Sequence, residues 1–163
     1  MNLIQEFKPI NLQFAKNEIS KSKGIYIWLN KQDEIVYVGI ACGKNGLFHR
    51  IYNQHLNAAY LEYRNSKHNI KDEFQLQFAI TKLGSNNVLK KGIDKSSFRK
   101  SIGRKLRLKP GEETCKYIFT NLKLKVLESN NIEMIKKLEI DLITKFNPVF
   151  NTAYKIYDET TQL

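Results

Sequence analysis

Residues 24–40 constrain the fold more than any other part of the chain. Ile25, Ile27 and Leu29 alternate with Tyr26 and Trp28; beyond a polar break, Val36, Val38 and Ile40 alternate with Ile35, Tyr37 and Gly39. Period-two alternation on both sides of a short polar stretch predicts a β-hairpin whose register is set by its faces. Matching the aliphatic faces requires paired residue numbers with an odd sum. A four-residue loop, Lys31 to Glu34, satisfies this and pairs Tyr26 with Gly39 and Trp28 with Tyr37. The two tyrosines then share the face that does not carry the aliphatic set.

A second constraint comes from residues 131–146, a predicted helix capped by Asn130 or Asn131 and ended before Pro148. On a wheel turning about 100° per residue, Ile132, Ile135, Leu138, Leu142, Ile143 and Phe146 form one apolar stripe, and Lys136, Lys137 and Lys145 lie outside it. Glu139 falls inside. An ionised carboxylate on a packing face is costly unless a cation or hydrogen-bond donors meet it. Either its pKa rises, or something positive sits opposite, an arginine or a divalent metal taking oxygen ligands; the plainer alternative is a partly exposed glutamate at the edge of the stripe. No second acid shares the face, which argues against a site built from several carboxylates and two metals.

Charge narrows the partner. The 163 residues carry a net charge of +11, and 42% are apolar, enough for a core. Between Lys90 and Lys109, Lys90, Lys91, Lys95, Arg99, Lys100, Arg104, Lys105, Arg107 and Lys109 face one acid, Asp94, a local +8. Phe98, Ile102 and Leu106 recur at i, i+4 and i+8 within this run, predicting a basic helix over 96–108 started by Ser96 and docked by a narrow seam. Such a face favours a polyanion, whose condensed counterions are released on binding. The seam is too thin for an interfacial membrane helix. The longest apolar run, Ile25–Leu29, has five residues, so no membrane span is expected, and residues 1–6 lack the features of a signal peptide. Cys42 and Cys115 have no metal or redox spacing, consistent with a cytoplasmic protein.

The remaining elements are coarser. A helix is predicted near Asn11–Ser20 and another over 45–56. Alternation in Phe74, Leu76, Phe78 and Ile80 favours a strand near 74–81, and Leu122, Leu124 and Val126 predict one near 120–127. The expected fold is α/β of the α+β kind: one domain, with a small central antiparallel sheet of about three strands flanked by helices. Residues 57–115 read as a polar, basic insertion suited to a polyanion.

These residues carry a family resemblance. Gly24-Ile25-Tyr26, followed by Tyr37-Val38-Gly39, resembles the GIY-YIG nuclease signature, and Arg50, Glu139 and Asn151 follow in the family's order. The segment from Glu139 to Asn151, with Pro148-Val149-Phe150 before the asparagine, keeps the family's C-terminal spacing. The likeness covers residues 24–56 and 117–152. Gly39 to Arg50 is eleven residues, longer than usual, and Ile40 stands where a small basic position is common, with Lys44 a substitute. Many members place a His or Tyr four residues beyond the arginine. Here that position is Gln54, and on an α-helical wheel His55 falls about 140° from Arg50, predicting a surface or DNA-facing histidine. His49 and His68 are read as surface residues.

The resemblance implies hydrolysis of a DNA phosphodiester by an activated water with one Mg²⁺ (or Mn²⁺), as in a stand-alone, restriction-like endonuclease. Glu139 would be the protein's metal ligand, Arg50 would hold a nonbridging oxygen, Tyr26 would position or deprotonate the water with Tyr37 beside it, and Asn151 would brace the site. Lys44, His55 and the cations of 90–107 would contact DNA. Cutting both strands with one site per chain would call for a homodimer. The rival readings are a catalytically silent nucleic-acid-binding protein on the same scaffold and an interaction domain with an acidic partner.

Overall fold

A computed structural model of the chain describes residues 3–64 and 73–154. Its framework is a four-stranded antiparallel sheet in the order β1-β7-β2-β3, with β1 Lys8–Ile10, β2 Gly24–Leu29, β3 Ile35–Ala41 and β7 Lys123–Glu128. A second sheet, β4-β6-β5, is built from β4 Leu61–Arg64, β5 Ile80–Leu83 and β6 Leu89–Asp94. Helices α1 Ala15–Glu18, a π-helix Phe48–His55, α2 Glu73–Gln77, α3 Ser97–Leu106, α4 Glu112–Asn121 and α5 Ile132–Phe146 complete an α+β architecture.

The hairpin has the expected register. Tyr26 pairs with Gly39 and Trp28 with Tyr37, but the pairing then slips so that Leu29 opposes Ile35. Val36 is the extra residue of this bulge and changes face. Ile35, predicted beside the tyrosines, packs with the aliphatic set, and Val36, predicted with that set, packs on the tyrosine side.

Both faces of the sheet are covered, because β2 is buried at all six positions. On the aliphatic face, Ile25, Ile27, Leu29 and Val38 meet Ile135, Leu138, Leu142 and Ile143 of α5. On the other face, Tyr26, Trp28, Leu124 and Val126 meet Ile51, Phe98, Ile102 and Ile118. The basic stretch therefore contributes to the core: Phe98 and Ile102 are fully buried, while Leu106, the third residue of the seam, is 40% exposed. Asn131 caps α5 by accepting the Met134 N–H at 3.1 Å, and Ser96 caps α3.

Three features depart from expectation. The alternating stretch at 74–81 is a short helix followed by a strand. Phe74 and Phe78 lie one helical turn apart with rings 4.9 Å from each other, and Gln75 is turned inward, so the same residues satisfy a helical spacing that the alternation conceals. Helix 11–20 is confined to a 3₁₀ turn and α1. β1, an edge strand of three residues containing Pro9, is too short to show periodicity. Among the described residues no helix is long and apolar enough to cross a membrane.

Candidate functional site

The two signature glycines are explained by close approach. A Cβ on Gly39 would lie 2.4 Å from Tyr26 Cζ and Oη, so the absent side chain lets the Tyr26 phenol lie across β3. A Cβ on Gly24 would lie 2.4 Å from the Leu127 carbonyl oxygen of β7. Glycine at both places allows the central strand to seat tightly and its tyrosine to reach outward.

Around that phenol the chain gathers groups from distant elements. Tyr26 Oη lies 2.7 Å from His55 Nε2. The Tyr26 and Tyr37 rings are 6.3 Å apart and tilted by 33°, and the His55 ring lies 5.5 Å from Tyr26 and 6.2 Å from Tyr37. Burial raises Tyr26 well above the usual phenol value, with Tyr37 and Glu139 adding to the rise and Arg50 opposing it. Tyr37 is pushed up to about 12 by burial and by Glu139, again opposed by Arg50. Burial, then Arg50 and Arg99, hold His55 well below the usual imidazole value. Glu139, half-buried on α5, is raised by burial and pulled back by Arg50. The Arg50 guanidinium thus acts on all four ionisable groups. Arg50 itself is exposed and donates to Gln54 Oε1 at 3.3 Å, which leaves its charge free for an anion.

His55 is a correction. It was expected at the surface facing DNA and is instead 2% exposed, inside the site. The reason is the turn type. Phe48–His55 is a π-helix, whose i→i+5 bonds stack residues five apart, so Arg50 and His55 share a face. Gln54, the residue one α-helical turn from Arg50, bonds Arg50 and His49 instead. Ser96, read only as a helix cap, also reaches the site: its Oγ is 2.8 Å from His55 Nδ1.

Arg99 is the second correction. Predicted to contact DNA, it is fully buried. Its Nε donates to Asp94 Oδ1 at 2.8 Å, its Nη1 to the carbonyls of Gln54 (2.8 Å) and Asn57, and its Nη2 to the Tyr60 carbonyl at 3.0 Å. Asp94 also accepts from Gln75 Nε2 (2.8 Å), Thr114 Oγ1 (2.8 Å) and the Gly111 N–H (2.9 Å). A buried ion pair is tolerable when every remaining lone pair and proton is met, as here. The pair fastens the end of the π-helix to β6, α3 and α4, and so holds His55 in place. The lone acid in the basic run was the signal that one of its cations would be spoken for.

Asn151 is buried against β3. Its Oδ1 accepts the Val38 N–H at 2.8 Å and its Nδ2 donates to the Val38 carbonyl at 2.9 Å, joining the chain after α5 to β3. Of the remaining cations, Lys44, Lys91, Lys95, Lys105 and Arg107 are exposed and Lys90, Lys100 and Arg104 half-buried. Lys95 Nζ lies 5.2 Å from the Tyr60 ring, Arg107 4.5 Å from the Phe74 ring, and Lys100 3.7 Å from Glu62. His49 is exposed, and His68 lies outside the described residues.

Among the described residues no group of three or more His, Cys, Asp or Glu side chains could hold a metal. Glu139 fits a different arrangement. It makes no hydrogen bond or ion pair to a described residue, and Mg²⁺ commonly takes only one or two carboxylates, completing its shell with water and substrate phosphate. Comparison with family models, curated proteins and solved structures gave no match to this chain.

Proposed function

We propose that the chain is a divalent-metal-dependent endonuclease that hydrolyses DNA phosphodiester bonds. The observation that carries this reading is the gathering of Tyr26, Tyr37 and His55 from three separate elements, with rings 5.5–6.3 Å apart and Tyr26 Oη 2.7 Å from His55 Nε2, within reach of the Arg50 and Glu139 charges. Its likeness to the GIY-YIG signature supports the same reading, and the π-helix strengthens it: His55 takes, one residue late, the place beside the arginine where the family carries a His or Tyr.

The roles follow from the chemistry. Arg50, exposed at the mouth, binds a nonbridging phosphate oxygen and stays charged at every relevant pH. Tyr26 and Tyr37 orient the attacking water and one phenol of the pair takes its proton, a task that needs nearby positive charge to lower phenols that burial has raised. His55 holds Tyr26. Glu139 is the protein's ligand to Mg²⁺ or Mn²⁺, an ion that supplies charge neutralisation at the phosphate and at the leaving oxygen when bound. Exposed Lys44, Lys91, Lys95, Lys105 and Arg107 contribute salt-sensitive attraction to the DNA backbone. A cytoplasmic location goes with this activity and with the two free cysteines. Cutting both strands would require two copies of the chain.

The test is supercoiled plasmid incubated with the protein in Mg²⁺ or in EDTA. Nicking is expected only in Mg²⁺, and only with Glu139 intact. DNA binding without nicking in any divalent metal would leave the silent binding protein as the correct reading.

A further inference from the structure

The Ser96 hydroxyl lies 2.8 Å from His55 Nδ1, a contact that capping α3 does not require. The cap itself is the other bond: Ser96 Oγ accepts the Arg99 backbone N–H at 3.3 Å. Ser96 is 4% and His55 2% exposed, so their polar hydrogens must find acceptors inside the protein. Ser96 has one hydroxyl hydrogen, and Arg99 N–H already arrives as a donor. Of its two contacts only His55 Nδ1 can accept that hydrogen. With a hydrogen on Nδ1, the oxygen would accept twice and the hydroxyl would be buried with nothing to donate to.

We propose that Ser96 is a positioning residue of the active site: its hydroxyl donates to His55 Nδ1, fixes His55 as the Nε2–H tautomer, and makes His55 a donor to Tyr26 rather than a receiver of its proton. The consequence runs along the bonded series. Tyr26 Oη accepts from His55 Nε2–H at 2.7 Å, so its own hydrogen is not spent on the imidazole. Arg99 holds this geometry from both ends, through its backbone N–H on Ser96 and its guanidinium on the Gln54 and Asn57 carbonyls at the end of the π-helix.

The role assigned to Ser96 rests on the nuclease reading, but its test does not. Imidazole ¹⁵N spectra of the labelled full chain, with His55→Gln identifying the signals, are expected to show His55 protonated at Nε2 and unprotonated at Nδ1. Ser96→Thr, which keeps the hydroxyl, should preserve that pattern, and Ser96→Ala should lose the single tautomer. Ser96→Asp separates capping from tautomer control, because a carboxylate caps equally well yet only accepts. It should move the proton to Nδ1. A wild-type spectrum with Nδ1 protonated overturns the proposal by itself, as does a folded Ser96→Asp protein with the wild-type pattern. No DNA or metal enters the measurement, so an Nε2–H histidine in a chain that nicks nothing sinks only the nuclease reading, and nicking by a chain with Nδ1–H sinks only this inference.

Discussion

Tyr26 Oη and His55 Nε2 lie 2.7 Å apart, both buried, although 29 residues and a change of secondary structure separate them. The contact needs Gly39 to let the phenol across β3 and a π-turn to bring the imidazole round to meet it.

Removing the carboxylate tests the proposed chemistry most directly. Glu139→Gln keeps the shape and discards the negative charge. Plasmid nicking in Mg²⁺ should fall by on the order of 10²-fold or more, the scale of losing a charged transition-state contact. Filter binding of the same DNA should change little, since the half-buried Glu139 is remote from the exposed lysines in role and repels phosphate if anything.

Gly39→Ala should displace Tyr26. The added methyl would sit 2.4 Å from the phenol, which is itself buried and held by His55. Overpacking of this kind costs about 1–3 kcal/mol. Urea unfolding should register that loss, and nicking should fall more than the lost stability accounts for.

Acid should weaken the fold through His55. Its folded value is held well below 6.5, whereas the unfolded side chain titrates near 6.5. Below that pH the unfolded chain takes up a proton the native one refuses, so stability rises with pH in this window and falls as pH drops. The slope is at most about 1.4 kcal/mol per pH unit from this group. Urea midpoints at pH 7.5 and 5.5 should diverge in the wild type and converge in His55→Gln.

Arg99 and the surface lysines should behave differently. Arg99→Ala leaves Asp94 buried and uncompensated, a loss of about 3–5 kcal/mol by chemical denaturation. A Lys91→Ala, Lys95→Ala, Lys105→Ala variant should fold normally and bind DNA less tightly. The slope of log K against log salt should shrink by about 0.9 for each phosphate contact removed.

What the sequence could and could not disclose follows from where the information lies. The hairpin register and the misplaced Glu139 are legible because side-chain alternation and helical wheels encode which face a residue occupies. The Val36 bulge and the π-helix are backbone events. Each inserts or widens by one residue without altering composition, so Ile35 changed face and His55 was assigned to solvent. Arg99 was hidden among its neighbours, since nine cations in twenty residues look alike until one meets Asp94. Phe74 and Phe78 fit both an alternating strand and one turn of a helix, and only the inward pull on Gln75 by Asp94 decides between them.

The burial of β2 on both faces and both edges has a dynamic consequence. Amides of that strand open only when the whole sheet does, so their hydrogen exchange should follow global unfolding, while those of the exposed edge strand β5 exchange through local fluctuation. Tyr26 therefore sits on the stillest part of the molecule. Any adjustment to a ligand falls to the groups that solvent already reaches, Arg50 above all.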